Sequence, residues 1–424
     1  MTFFRGAILA VGVLLATGPL AEPQFVRFQL RDGVDVAGEM TAWDLTGIHG
    51  SFGKRSWLEL MPRDLWRLYV AVMDQNDPNQ WVDLGRLLLS GPDGERWARR
   101  AFQRAMHLDE SVEARIEAAR AAAVETRRQR RELERTAEEH RLATGSPESV
   151  DWPAEPWPPM GRDEQEAALT ELRADVTQIL RQGDLQMAVL ETDHFLVWAQ
   201  LPSIDAARLA MRLESVYERL ARMLGADRSG NRFWGKAVIL YFDDPDRLRL
   251  VEAESFGQLV GRETMGICHP VGAKVFINLT GDTAGEPFVA AAARQVVHAY
   301  MHRFVSPKRL PVWANRGLAN YVSTTIAPAS SIEHRRREAV EYIRNGGDLA
   351  AVFNAGWTDP WPPTATAVGA LMIELMVTQR PEGFRRWVIA VKTGKNWQAA
   401  LAEDYGIPEM QLLETFRQYF RVND

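Results

Sequence analysis

The chain has 424 residues, of which 46% are hydrophobic and 25% are charged, and its formal net charge is -6. This composition is typical of an ordinary globular protein with two or three domains. A net negative chain has no overall basic field to recruit nucleic acid, so we expect no nucleic-acid partner.

Residues 1–21 predict an export signal. Arg5 supplies the positive start, and the apolar run GAILAVGVLLA is too short to span a bilayer. Small residues follow, with cleavage expected after Gly18 or Ala21; an uncleaved anchor is the alternative. Because no later stretch is long and apolar enough for a membrane helix, we expect a mature protein without a transmembrane segment. It would lie outside the cytoplasm, in the periplasm or secreted.

Residues 22–75 predict a small SH3-like β module followed by a helix. The strand-like runs are FVRFQL, VDVAGEMTAW, IHGSFG and SWLEL, and the turn signals RDG and DLTG separate them. Four or five short strands in so few residues predict a small barrel or curled sheet. The residues MPRD then open the helix LWRLYVAVM.

Residues 76–143 predict a helical hairpin and a long charged helix. Trp81, Gly85 and Phe102 match part of a single tetratricopeptide unit. One unit cannot form a solenoid, so a hairpin packed on the β module is the preferred interpretation. Five tryptophans could form a carbohydrate-binding surface, although core positions explain most of them: Trp43, Trp57, Trp66, Trp81 and Trp97.

The Pro- and Trp-rich composition of residues 144–163 predicts a linker. Docking of Trp152 and Trp157 on a neighbouring surface would make this linker semi-rigid.

The pattern of the remaining residues, 164–424, predicts one domain. Its predicted strands are 187–200, 236–242 and 273–279, its predicted helices include 164–185, 203–224 and 288–305, and the remainder is helical. A small sheet followed by a mostly helical part is an α+β fold.

Two histidines four residues apart carry the chemistry of this domain. His298 and His302 lie in the apolar helix QVVHAYMHRF, so both imidazoles project from one face. This spacing suits a tetrahedral zinc ion. Such a pair also arises by chance in a chain with 8 histidines, so the spacing alone is weak evidence.

The segment SPKRLPVWANRGLANYVS, residues 306–323, follows directly. It resembles the part of peptidase-MA-like gluzincins that comes after the zinc helix, and the resemblance extends over roughly residues 185–420. The residues on the template are Leu310, Pro311, Trp313, Gly317, Leu318, Ala319 and Tyr321. The resemblance implies a zincin-like domain in which the strand VFINL, residues 275–279, lies beside the cleft. It also implies a cleft lined by Tyr300, Trp313, Asn315, Asn320 and Tyr321.

Two departures from the family pattern fall on the chemistry itself. Ala299 replaces the glutamate that would act as general base, and Arg316 replaces the glutamate that would be the third zinc ligand. An alanine cannot move a proton, and a guanidinium has no lone pair for a metal. We therefore expect a catalytically inactive metallopeptidase homologue with no cofactor, which binds a peptide, protein or cell-envelope partner in its cleft.

Two alternatives remain open at this point. In the first, the protein is an active zinc peptidase with a rebuilt site, its further ligand and displaced base drawn from Cys268, His269, His194, Glu252, Glu254, Glu263 and Glu333. In the second, it is a scaffold that acts through its amino-terminal modules.

Arg316 also suggests a role for the altered cleft. Its positive charge would disfavour protonation of the two imidazoles, or would bind a carboxylate of a peptide or envelope ligand through a bidentate fork. The simpler alternative is an ion pair between Arg316 and a nearby carboxylate.

Overall fold

The computed structural model describes residues 18–31, 35–144, 152–227, 230–327, 330–357, 359, 361 and 363–421. The chain forms two compact units, residues 1–132 and 133–424. It is an α+β protein, 60% helical and 15% strand. The predicted export signal lies mostly outside the described residues, which begin at Gly18. None of the described helices is long and apolar enough to cross a membrane.

Unit 1 contains a four-stranded antiparallel meander. Its strands are β1 (Gly18–Gln29), β2 (Asp35–Trp43), β3 (Gly47–Gly50) and β4 (Gly53–Ser56), in that spatial order. The predicted barrel is wrong, because the sheet is open. Strands β3 and β4 have four residues each, which is too short to curl round to β1. Among the described residues only an isolated bridge, Leu30 to Leu60, joins the two ends of this segment.

Helices follow the meander in unit 1: α1 (Pro62–Val72), α2 (Pro78–Ser90), α3 (Glu95–Leu108) and the start of α4 (Glu113–Thr144). The predicted hairpin and charged helix are confirmed. Gly85 lies against the ring of Phe102, where a Cβ atom would overlap the ring, so the glycine lets α2 and α3 approach closely. Trp57 and Tyr69 are fully buried beneath the sheet.

Unit 2 contains a mixed five-stranded sheet. Its strands are β5 (Ala188–Glu191), β6 (Phe195–Ala199), β7 (Ala237–Phe242), β8 (Gly266–Val271) and β9 (Lys274–Thr280), and their spatial order is β5-β6-β7-β9-β8. The central pairs β6–β7 and β7–β9 are parallel, and the outer pairs are antiparallel. Central strands covered on both faces are apolar throughout, as the wholly buried AVILYF of β7 shows.

One strand prediction for unit 2 was wrong in detail, whereas the strand predicted at 273–279 is confirmed as β9. The single strand predicted at 187–200 is the hairpin β5–β6, which turns where the side chain of Thr192 and that of Glu214 hydrogen-bond. VFINL belongs to β9, which is an interior strand between β7 and β8. The edge strand beside β9 is β8. Its sequence GICHPV shows no alternation of apolar and polar residues and therefore gave no strand signal.

The helices of unit 2 cover the sheet and build a helical part beyond it. They are α5 (Arg162–Gln182), α6 (Ser203–Met223), α7 (Pro245–Phe256), α8 (Glu286–Arg303), α9 (Val312–Ile326), α10 (Ser330–Arg344), α11 (Leu349–Phe353), α12 (Pro363–Gln379), α13 (Pro381–Lys392), α14 (Trp397–Ala400) and α15 (Glu409–Arg421). Helices α6 and α8 share one core with one face of the sheet, and α5 and α7 cover the other face.

Helices α9 and α12 touch through backbone. A Cβ atom built on Gly317 would lie 2.5 Å from the carbonyl carbon of Gly369, and one built on Gly369 would lie 2.5 Å from the carbonyl oxygen of Trp313. Two glycines therefore set the distance between these helices, and with it the position of α9 beside α8.

We predict that Gly317→Ala destabilises unit 2 by about 1–3 kcal/mol, because the added methyl group must push two backbones apart. Urea unfolding followed by circular dichroism measures the change. Gly161→Ala is the control, since a Cβ atom there meets nothing closer than 3.7 Å. Equal stability of the two variants would contradict the close approach of α9 and α12.

Candidate functional site

The two predicted zinc histidines lie in the last turns of α8, and each ring is already engaged inside the protein. His298 Nδ1 is 2.8 Å from Asn315 Oδ1 on α9. His302 Nε2 is 2.8 Å from the carbonyl oxygen of Gly272, in the turn that follows β8. The structure thus connects α8 both to α9 and to the edge of the sheet through these side chains.

The hydrogen bond of His302 determines which ring nitrogen carries the proton. A carbonyl oxygen can only accept, so Nε2 of His302 carries the proton and has no lone pair for a metal. The imidazole also packs edge-on against two indoles, Trp152 at 4.8 Å and Trp157 at 5.5 Å between ring centroids. His302 is therefore buried as a packing and hydrogen-bonding residue.

The two tryptophans belong to the predicted linker, which packs against the end of α8. The backbone N–H of Trp157 donates to the carbonyl of Val305 at 2.9 Å, and its indole N–H donates to the carbonyl of His302 at 3.0 Å. The guanidinium of Arg303 lies 4.1 Å from the centre of the Trp157 ring. The docking predicted for these tryptophans is confirmed, and this part of the linker belongs to unit 2.

Lys392 forms hydrogen bonds with the same end of α8. Its ammonium group donates to the carbonyl oxygens of Met301 and Lys308, both at 2.6 Å, and Ser306 donates to the carbonyl of Lys392. The side chain is only 1% exposed, and burial lowers the pKa of Lys392 to about 7. No sequence signal pointed to this residue, because it lies about ninety positions from its partners.

His298 keeps one ring nitrogen available. Asn315 Oδ1 accepts from Nδ1, which leaves the lone pair on Nε2, and Nε2 has no partner among the described residues. Burial lowers the pKa of His298 to about 4, and the hydrogen bond with Asn315 opposes this shift. Three positive charges also lower the pKa: Arg294, Arg316 and Arg309. His298 is thus a neutral acceptor surrounded by arginines.

Arg316 lies on α9, next to Asn315 in the chain, and its positive charge acts on His298. Its guanidinium is 5.4 Å from the centre of the Trp361 ring. Arg316 is one of the positive charges that lower the pKa of His298, after burial and Arg294. For His302, burial again lowers the pKa to about 4, but the charges that assist are those of Lys392, Arg303 and Arg309.

The other residues predicted for the cleft divide into two groups. Tyr300 and Trp313 are 0% and 1% exposed, so they are core residues and do not line a cleft. Tyr300 packs between Tyr217 and Phe304. Asn315 and Asn320 are also buried, and only Tyr321 is half-buried. Of this set, Asn315 alone touches a histidine of the candidate site.

The residues suggested for a rebuilt zinc site are engaged elsewhere. The carboxylate of Glu252 accepts from His269 at 2.8 Å and from Asn278 at 2.8 Å, beneath α7. His194 pairs with Glu214 at 2.6 Å and stacks on Tyr217. Burial raises the pKa of the Cys268 thiol.

The remaining candidate bases belong to segments of unit 2 other than α8 and α9. Glu254 is exposed on α7 and Glu263 is half-buried, while Glu333 lies on α10. Among all residues that the structure describes, no three His, Cys, Asp or Glu side chains come close enough together to hold a metal ion. With Ala299 and Arg316 in place and Nε2 of His302 donating, the residues present do not fit a zinc ion.

No protein-family model and no curated protein matches this chain. The resemblance to gluzincins therefore depends on the residue pattern alone, most specifically on residues 295–323.

We predict that acid unfolds unit 2 in part through half-buried His298 and buried His302. Their pKa values of about 4 in the folded protein lie below the usual 6.5. Their contribution to stability is therefore complete above about pH 6.5 and falls as the pH drops towards 4, by about 3 kcal/mol for each residue. The free energy of unfolding between pH 7 and 4 measures this loss.

The control variants isolate these two groups from the carboxylates, which titrate in part of the same range. In His298→Gln/His302→Gln the stability should change less steeply between pH 6.5 and 4 than in the wild type. His107→Gln, on the exposed face of α3, should keep the wild-type slope. The same slope in all three proteins would contradict the burial of neutral imidazoles.

We also predict that purified protein contains less than about 0.1 zinc per chain, because a metal needs at least three ligands with free lone pairs. Elemental analysis of the wild type and of His298→Ala/His302→Ala measures it. Zinc near one equivalent that disappears in the double variant would instead establish a rebuilt metal site.

Proposed function

We propose that unit 2 is a metallopeptidase-like domain without zinc catalysis that binds the carboxylate end of a peptide or of a cell-envelope ligand. The observation on which this proposal depends is the hydrogen bonding of the two imidazoles. Nε2 of His302 donates to Gly272, while His298 keeps a free acceptor nitrogen among arginines. Hydrolysis needs a metal-bound water and a general base, and these residues supply neither.

The chemistry around His298 favours a ligand that presents a hydrogen-bond donor next to a negative charge. Nε2 of His298 can accept one hydrogen bond, and the guanidinium of Arg316 can hold a carboxylate with two parallel bonds. The last residue of a peptide has this combination, since its N–H nitrogen lies two bonds from its carboxylate carbon. A peptide amide has the donor but lacks the charge.

The expected location of the protein fits this kind of ligand. The composition of residues 1–21 predicts export, and peptides with free carboxyl ends are components of bacterial cell envelopes and of the extracytoplasmic space. We therefore place the proposed binding activity outside the cytoplasm.

We predict that Arg316→Ala weakens binding of a labelled alanine-rich hexapeptide with a free carboxyl end by about ten- to a hundredfold. A hydrogen bond to a charged group contributes about 1.5–3 kcal/mol. Fluorescence anisotropy measures the affinity, and the same peptide with an amidated end should bind wild type and variant equally weakly.

Arg208→Ala is the matched control, because Arg208 is exposed on α6 and pairs with Asp205; it should bind the peptide as the wild type does. Thermal unfolding of each variant establishes that it is folded. If wild-type protein does not distinguish the free acid from the amide, the carboxylate site is wrong.

A further inference from the structure

One exposed helix face in unit 1 carries four arginines for which the described part of the chain provides no ion-pair partner. Arg96, Arg99, Arg100 and Arg104 are all exposed on α3. None of them forms a salt bridge with any residue that the structure describes in unit 1. The one acidic residue of α3, Glu95, pairs with Arg127 on α4 at 3.2 Å. The outer face of α3 is therefore a basic row, and we call it the α3 arginine row.

The arginines of the next helix are arranged differently. Three arginines of α4 pair within that helix: Arg120 with Glu117, Arg128 with Glu125 and Arg135 with Glu139. On α3 no pair of this kind forms among the described residues, because its one carboxylate, Glu95, pairs with α4.

The row carries an energetic cost in the isolated protein. Arg96, Arg100 and Arg104 follow one another at four-residue intervals, so their side chains are neighbours. Like charges at this spacing destabilise a helix, whereas a Glu at one of these positions would stabilise it. Packing does not require the arginines, since the residues that α3 buries are Ala98, Ala101, Phe102 and Ala105. A partner that brings negative charge would offset the repulsion.

Aromatic side chains flank the row. Trp97 is half-buried, and its ring is 5.4 Å from that of Trp66 on α1 and 5.5 Å from the guanidinium of Arg100. Flat aromatic surface next to arginine is the composition enriched where proteins bind other polypeptides.

The spacing of the row favours an extended polypeptide. Four residues of helix rise about 6 Å, and residues on the same side of an extended strand repeat at about 6.6 Å. Carboxylates at alternate positions of an extended segment can therefore meet Arg96, Arg100 and Arg104 one after another. We propose that the α3 arginine row binds an acidic, extended peptide segment of a partner protein.

A membrane surface fits these observations less well. The apolar side of α3 is packed in the core of unit 1 and has nothing to insert into a bilayer. The whole chain is also net negative, at -6, which opposes broad adsorption to anionic lipid. This inference concerns unit 1 and goes beyond the carboxylate site proposed in unit 2.

The test uses the full chain and a labelled peptide of eight residues in which Glu and Thr alternate, with an amidated carboxyl end so that only side-chain carboxylates are offered. Binding is measured by fluorescence anisotropy at about 50 mM and 300 mM salt. Arg96→Gln/Arg100→Gln/Arg104→Gln should weaken binding about tenfold at low salt, since three exposed ion pairs are lost. Higher salt should weaken wild-type binding towards that of the variant.

The matched control is Arg120→Gln/Arg128→Gln/Arg135→Gln, which removes the same charge from α4 and should bind like the wild type. A peptide with Gln in place of Glu should not bind. An equal loss in both triple variants would show a general charge effect and overturn the proposal. So would the absence of binding by the wild type, or tighter binding to phosphatidylglycerol vesicles or to a single-stranded oligonucleotide through the same arginines.

Discussion

The carboxy-terminal end of α8 is the point on which the rest of unit 2 depends. A buried ammonium group, that of Lys392, satisfies carbonyls at and just beyond this helix end, and a cation there also interacts favourably with the helix dipole. Trp157 binds two further carbonyls of the same segment. With the helix end held from two sides, α8 cannot rotate about its axis, so the rings of His298 and His302 face Asn315 and Gly272 respectively.

This constraint gives the site a chemistry opposite to that of a zinc peptidase. A zinc centre presents a dication surrounded by neutral and anionic ligands. Here the positive charge belongs to guanidinium groups, which attract an anion but cannot polarise a scissile bond or activate water. Arg316 therefore favours a different kind of ligand from the one that a glutamate at the same position would favour.

Features set by local sequence patterns, such as the helices, could be predicted from the sequence. Features that depend on residues far apart in the chain could not. Periodicity identified α8 and α9, and the spacing of His298 and His302 placed both rings on one face. By contrast, β8 contains Pro270 and His269 and lacks alternation, so the edge strand was not recognised. The bond between Lys392 and Met301 joins residues far apart in the chain. The barrel prediction was wrong because it used the number of strands and ignored their length. Strands as short as β3 and β4 cannot close the sheet into a barrel.

The two sheets differ in how far apart in the chain their neighbouring strands lie. In unit 1 every strand pairs with the next one along the chain, whereas in unit 2 the parallel pairs β6–β7 and β7–β9 join segments separated by about thirty residues or more. Contacts between distant segments slow folding, because a long loop must close before they form. We therefore expect unit 1 to reach its native structure soon after it is synthesised. In unit 2 the carbonyl groups of Met301 and Lys308 gain their bonds to Lys392 only after about ninety further residues have been synthesised, so we expect the end of α8 to be completed late.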